Sequence, residues 1–296
     1  MAQDTFRMAP SRQVLVWRHL SSSSIFQFHL GNHSTRASTS FQISTIMATP
    51  TFYAVVVGVG SGTGASVARL FARGYPIALL ARKESSYAPV VAAITQAGGT
   101  ALGISTDVSD AQSLDAAFAR VAREWPQARL AAAVYNAEAG FSYKPFLELA
   151  PEDLDRALST GAKGLFYFAQ KTLPLLLKAA EEEAAAKYPP TLIVTGATAA
   201  LRGSAKFAAF AAGKFAQRAI TQSLAREFGP RGVHVAYTII DGSIDTPWGK
   251  DRVANGGVAD GKISPDAIAE SYWYLHTQPR SAFTQELDLR PSVEKF

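Results

Sequence analysis

The chain has 296 residues, 48% hydrophobic and 18% charged, and it contains no cysteine, which excludes disulfides, thiolate metal sites and cysteine nucleophiles. The apolar content is ample for one sizeable core. The net charge of +5 is mild and uneven: Arg7, Arg12, Arg18 and Arg36 against Asp4 give +3 over residues 1–47, which leaves +2 for the rest and no case for a nucleic-acid partner.

Residues 1–49 differ in kind from the rest of the chain. They are rich in serine, including Ser21 to Ser24, dotted with arginine and almost free of acids. That is the composition of a mitochondrial transit peptide. A disordered leader, or a start placed upstream of a natural beginning at Met47-Ala48, fits as well. The expected location is therefore mitochondrial if residues 1–46 are a genuine leader, and cytoplasmic otherwise. No apolar run approaches the roughly 20 residues needed to cross a bilayer, so no membrane partner is expected.

From residue 50 onward, apolar runs alternate with stretches of helical spacing. Strands are predicted at Phe52–Val57, Ile77–Ala81, Ala101–Ser105, Leu130–Tyr135, Thr191–Thr195, Val233–Ile240 and Gln285–Leu289. Helices are predicted at Ala65–Arg73, Ser86–Gln96, Asp110–Glu124, Pro151–Lys187, Ser204–Phe228 and Pro265–Thr277, with Pro174 kinking or dividing the long fourth one. Continuous apolar strands separated by helices predict an α/β fold. The expectation is a Rossmann-like, doubly wound parallel sheet of seven strands in a single domain, residues 50–296.

The first strand runs into Gly58-Val59-Gly60-Ser61-Gly62-Thr63-Gly64 and then a helix. Glycines let backbone approach a pyrophosphate, and the N–H groups of a helix start face the anion. Gly58, Ser61, Gly62, Thr63 and Gly64 are thus candidate cofactor residues. After the second strand an acid would hold the ribose 2′-hydroxyl of NAD, but Arg82 and Lys83 stand there instead. Cations suit a 2′-phosphate, so the expected cofactor is NADP(H).

With these residues in place, the stretch from about Phe52 to Asp288 resembles a short-chain dehydrogenase/reductase. Val57, Gly58, Gly62 and Gly64 fill the fixed places of that family's Thr-Gly-x-x-x-Gly-x-Gly turn. Asp107, followed by Val108, corresponds to its adenine contact, and Asn136-Ala137 to the middle of its Asn-Asn-Ala-Gly stretch. The resemblance implies a small-molecule substrate and an assembly of two or four copies. It also implies that Lys214 bonds the nicotinamide ribose, with Ile244 and Thr246 near the cofactor.

The family's Tyr-x-x-x-Lys window reads Phe210-Ala211-Ala212-Gly213-Lys214, so the lysine stays and the phenol is absent. The family serine falls on Ala197, beside Thr198, and the helix asparagine falls on Gly161. An alkoxide formed by hydride transfer needs a proton or a hydrogen bond, which phenylalanine cannot give. Thr198, Tyr135, Glu138 and Asp241 are candidate substitutes; Asp241 takes the place of a proline after the sixth strand. A turn-capping role for Asp241 is the plainer alternative. Lys214, Thr198 and Asp241 are the candidate catalytic set.

Three functions are compatible with this pattern. The first is an NADP(H)-dependent carbonyl/alcohol oxidoreductase with a non-standard proton donor. The second is an enoyl-type reductase, and the third a catalytically silent NADP(H)-binding protein. Tyr143, Phe146, Trp248 and Trp273 either line a substrate pocket or pack in the core. His234 and His276 stand alone, without metal-ligand spacing, so no metal is expected.

Overall fold

The computed structural model describes residues 50–138, 140, 142–181 and 186–295. The expected leader, residues 1–49, lies outside the described residues. In chain order the elements are β1 (Phe52–Val57), α1 (Thr63–Phe71), β2 (Ile77–Ala81), α2 (Glu84–Gln96), β3 (Ala101–Ser105), α3 (Ala111–Glu124) and β4 (Arg129–Tyr135). They continue with α4 (Pro151–Leu158), α5 (Leu165–Glu181), β5 (Thr191–Thr195), α6 (Ala208–Phe228), β6 (His234–Ile240), α7 (Pro265–His276) and β7 (Glu286–Leu289). The seven strands form one parallel sheet in the order β3-β2-β1-β4-β5-β6-β7, as expected for a doubly wound fold. Chain winding reverses between β1 and β4, and a crevice opens at the carboxyl ends there.

Alternation along each strand feeds two cores. Tyr53, Val55 and Val57 of β1 join Leu114, Phe168 and Leu176 on the face covered by α3 and α5. Ala54 and Val56 join Val67, Phe71, Tyr272 and Leu275 on the face covered by α1 and α7. Leu114 and Phe168 are completely buried, each stabilising the fold by roughly 1.5–3 kcal/mol. With both faces of the sheet covered, the strands read as unbroken apolar runs.

Two helices differ from expectation. The long helix predicted at Pro151–Lys187 is interrupted, but not at Pro174, which sits inside α5. The interruption is a wide π turn at Ser159–Gly164. It contains Gly161 and Gly164, both weak helix formers. The Tyr135 hydroxyl donates to the Thr160 carbonyl within this turn, satisfying one backbone acceptor there. The helix predicted from Ser204 begins at Ala208, because Lys206 has φ +69° and left-handed backbone cannot continue an α-helix. Boundaries of the other helices and of the strands move by two residues or fewer.

Gly213 explains how α6 is seated. A Cβ there would lie 2.8 Å from the Ala157 carbonyl oxygen, so α6 and α4 touch backbone to backbone. Close approach on this side fixes where Lys214, the next residue, enters the crevice.

Candidate functional site

A cleft of about 900 Å³ opens at the carboxyl ends of β1, β4, β5 and β6. Its first wall is the turn between β1 and α1. Gly58 has φ +80°, and a Cβ on it would lie 2.4 Å from the carbonyl carbon and oxygen of Asn136. The turn is locked in return, since Asn136 Nδ2 donates to the Gly58 carbonyl at 3.0 Å and Thr195 Oγ1 donates to Asn136 Oδ1 at 3.0 Å.

The start of α1 has no side-chain cap, so the N–H groups of Thr63 and Gly64 are available to a ligand, while that of Ala65 bonds the Gly62 carbonyl. Beside it, the hydroxyls of Thr63 and Thr246 are buried without a hydrogen-bond partner in the protein. Buried polar atoms ordinarily find partners, so two orphaned hydroxyls in a cleft lined by a helix start fit an anion acceptor such as phosphate. A nucleotide's pyrophosphate suits this cradle.

At one end of the cleft stand Arg82 and Lys83, both exposed, with Asp107 and Val108 beside them. The Ser109 hydroxyl and N–H donate to Asp107 Oδ1 at 2.7 and 2.9 Å. These bonds, with a smaller contribution from the Arg82 charge, hold the Asp107 carboxyl below the usual carboxylate range.

The other end is built around two charged groupings. Lys214 is buried, with Nζ 2.8 Å from Glu138 Oε2, 3.3 Å from Gln217 Oε1 and 3.4 Å from the Thr195 carbonyl. Its ammonium also lies 5.7 Å from the Phe210 ring centre. The second grouping is Asp241, buried at the end of β6. One of its oxygens accepts a hydrogen bond from Thr198 Oγ1, and the other pairs with Arg290 Nη2 at 3.1 Å. Asp241 can only accept, so the Thr198 proton points at the carboxylate and the Thr198 oxygen is left able to accept from a ligand.

Nearby phenols do not take the missing role. Burial raises the phenols of Tyr135, Tyr237 and Tyr272 well above their ordinary range. Tyr135 is absent from the cleft lining, and its hydroxyl is spent on Thr160, which removes it as a substitute donor. Tyr272 shares a 2.7 Å hydrogen bond with Thr195, and Tyr237 bonds the Lys214 carbonyl.

The family model for short chain dehydrogenases matches residues 53–256. This protein belongs to the short-chain dehydrogenase/reductase family. Over 249 residues it is 30% identical to a short-chain dehydrogenase/reductase of Armillaria gallica, covering 78% of this chain and 91% of that protein. It is also 30% identical over 241 residues to the short-chain reductase protein NovJ of Streptomyces niveus, covering 80% and 87%. Among solved structures, a short-chain dehydrogenase of Rhodopseudomonas palustris superposes with a TM-score of 0.65 at 32% identity, covering 80% of this chain and 98% of that one.

In this short-chain dehydrogenase/reductase the candidate cofactor residues and the candidate catalytic set line one cleft: Gly58, Ser61, Gly62, Thr63, Gly64, Arg82, Lys83, Asp107, Val108, Asn136, Ala137, Thr198, Lys214, Asp241, Ile244 and Thr246. Phe210 and Ala197 line it too. Of the four aromatic candidates only Trp248 does; Trp273 packs against Phe71, Tyr75, Tyr188 and His276 on the far face. Sequence reasoning missed Thr195, Arg202, Phe207 and the Arg290 partner of Asp241. Arg290 had a signal, since it directly follows the last strand at the carboxyl edge of the sheet. Among the described residues no cluster suits a metal ion, and no helix is long and apolar enough to cross a membrane.

Proposed function

We propose that this protein is an NADP(H)-dependent oxidoreductase acting between a carbonyl and an alcohol, with a proton route made of Thr198 and Asp241. One observation carries the reading. A single cleft holds an anion cradle with two orphaned hydroxyls, and it also holds Lys214 and the Thr198–Asp241 pair.

When bound, a nicotinamide nucleotide supplies or accepts the hydride. The start of α1, Thr63 and Thr246 hold its phosphates, and Asp107 with Val108 flank the adenine. Arg82 and Lys83 pair with a 2′-phosphate, and Lys214 donates to the nicotinamide ribose hydroxyls. A substrate hydroxyl donates to Thr198 Oγ1 as the Thr198 proton passes to Asp241, and reduction runs this relay backwards. A second reading, a silent NADP(H) binder, is favoured by Phe210, Ala197 and Gly161 at the three positions where the family pattern has tyrosine, serine and asparagine. NADPH oxidation against aldehydes, ketones and enoyl-CoA esters separates these readings. Tight NADPH binding with no turnover on any of them would leave the silent binder, and turnover on enoyl esters alone would name the enoyl-type reductase.

The preference for NADP(H) over NAD(H) is tested by Arg82→Asp. Each lost charge-assisted hydrogen bond to a phosphate is worth roughly 1.5–3 kcal/mol, so NADPH affinity should fall by about tenfold or more. NADH affinity should change little. Equal affinity of the unmodified protein for NADPH and NADH would remove the preference.

Assembly into a homodimer or homotetramer is the second expectation. Ala209 and Gly213 of α6 are buried inside the chain, Gly213 against α4, so neither offers a face to a second copy. What supports pairing is the outward apolar set Leu154, Phe166 and Phe215 on α4, α5 and α6, each more than 40% exposed. Light scattering at micromolar concentration should give a mass of two or four chains, and Phe215→Glu should lower it. A monomer mass would end this expectation.

A further inference from the structure

Lys214 is 6% exposed, and an ammonium so far from water is costly unless a counter-charge compensates it. Of its three acceptors, Gln217 Oε1 and the Thr195 carbonyl are neutral and long, at 3.3 and 3.4 Å. Glu138 Oε2 is charged and close, at 2.8 Å. Glu138 also lines the cleft with a side chain 39% exposed, so its charge acts on whatever the cleft holds. The other carboxylate at this end, Asp241, pairs with Arg290, which also holds Asp288. Where the family pattern has glycine after Asn-Ala, this chain has an acid, so the balance of charge around Lys214 is its own.

Without Glu138, the wall beside Lys214 would carry a full positive charge. The oxidised nicotinamide ring is itself a cation, whereas the reduced ring is neutral. We propose that Glu138 balances the charge of Lys214, so that this end of the cleft accepts the oxidised nucleotide as readily as the reduced one. The inference rests on the proposed function, in which Lys214 stands at the nicotinamide ribose. It makes Glu138 a specificity-determining residue for the redox form of the cofactor.

Equilibrium titrations of the full chain with NADP⁺ and with NADPH test it, for the unmodified protein, Glu138→Gln and Lys214→Met. Glu138→Gln keeps the shape and an acceptor for Lys214 but removes the charge. Coulomb interaction across a partly wet cleft predicts that its Kd ratio, NADP⁺ over NADPH, rises by about three- to tenfold. Lys214→Met leaves the carboxylate alone and should shift the ratio the opposite way by a similar factor. A purely structural Glu138 would weaken both forms together, and a ratio unchanged in Glu138→Gln overturns the proposal. If Glu138→Gln does not fold, Lys214→Met decides alone, and an unchanged ratio there overturns it equally. Failure of the unmodified protein to bind either form would sink the nucleotide reading and this inference with it, whereas tight binding with fixed ratios sinks this inference only.

Discussion

Phe210→Tyr combined with Ala197→Ser should raise carbonyl reduction with NADPH by about tenfold or more, toward the roughly 10²–10⁴ that a positioned acid contributes. Both side chains line the cleft, and Phe210 is only half-buried, so a phenol hydroxyl has room. The ring already lies 5.7 Å from the Lys214 ammonium, close enough for a para hydroxyl to enter its field. A serine at position 197 would add a donor beside Thr198, whose own proton is committed to Asp241. Asp241→Asn is the companion measurement. It replaces the carboxylate that takes the proton at the end of the proposed relay with an amide that cannot, and should lower the rate of the unmodified protein. A rate untouched by Asp241→Asn would take Thr198 and Asp241 out of the chemistry. Inactivity of all these proteins, with NADPH still bound tightly, would favour the silent binder.

Gly58→Ala should cost both stability and nucleotide binding. Holding a non-glycine residue at φ +80° costs about 1–3 kcal/mol, and forcing a Cβ to 2.4 Å from the Asn136 backbone adds roughly 1–3 kcal/mol of overpacking. For a domain of this size each kcal/mol lowers Tm by about 2–4 °C, so a loss of roughly 5–20 °C is expected in thermal melts. The new methyl also pushes apart β1 and β4 at the mouth of the cleft, so NADPH affinity should drop even where the protein stays folded. Gly60→Ala is the internal control for stability: a Cβ there meets nothing within 4 Å. Equal melting of the two variants would show that the Gly58 contact does not constrain the turn.

Much of the architecture was legible because it is written locally. Six apolar residues, a glycine turn and a helical stretch are contiguous, so Phe52–Phe71 could be read as strand, turn and helix without any partner in view. The same holds for all seven strands, whose ends moved by at most one residue. Where local signals competed, reading failed. Proline is a strong breaker, yet α5 runs through Pro174 and the interruption falls at Ser159–Gly164. A proline costs one helical hydrogen bond, which packing in α5 absorbs, whereas the wide turn is shaped by the Tyr135 hydroxyl and by α6 pressing on Gly161.

For the site, the sequence by itself determined which residue types line the cleft: the glycines, Arg82 and Lys83 after the first two strands, and on α6 Lys214, with Phe210 where a phenol was expected. It could not determine what each group does to the next. Thr198 and Asp241 are 43 residues apart, and nothing in either neighbourhood announces that one donates to the other. Nor does any spacing announce Arg290 behind Asp241, or Glu138 across from Lys214. Those pairings exist only because β4, β5, β6 and β7 deliver their carboxyl ends to one crevice, where a few ångströms decide which charges cancel. Hydrogen bonds and ion pairs act over such distances and not along the chain, so the tertiary structure alone decides the chemistry of the cleft.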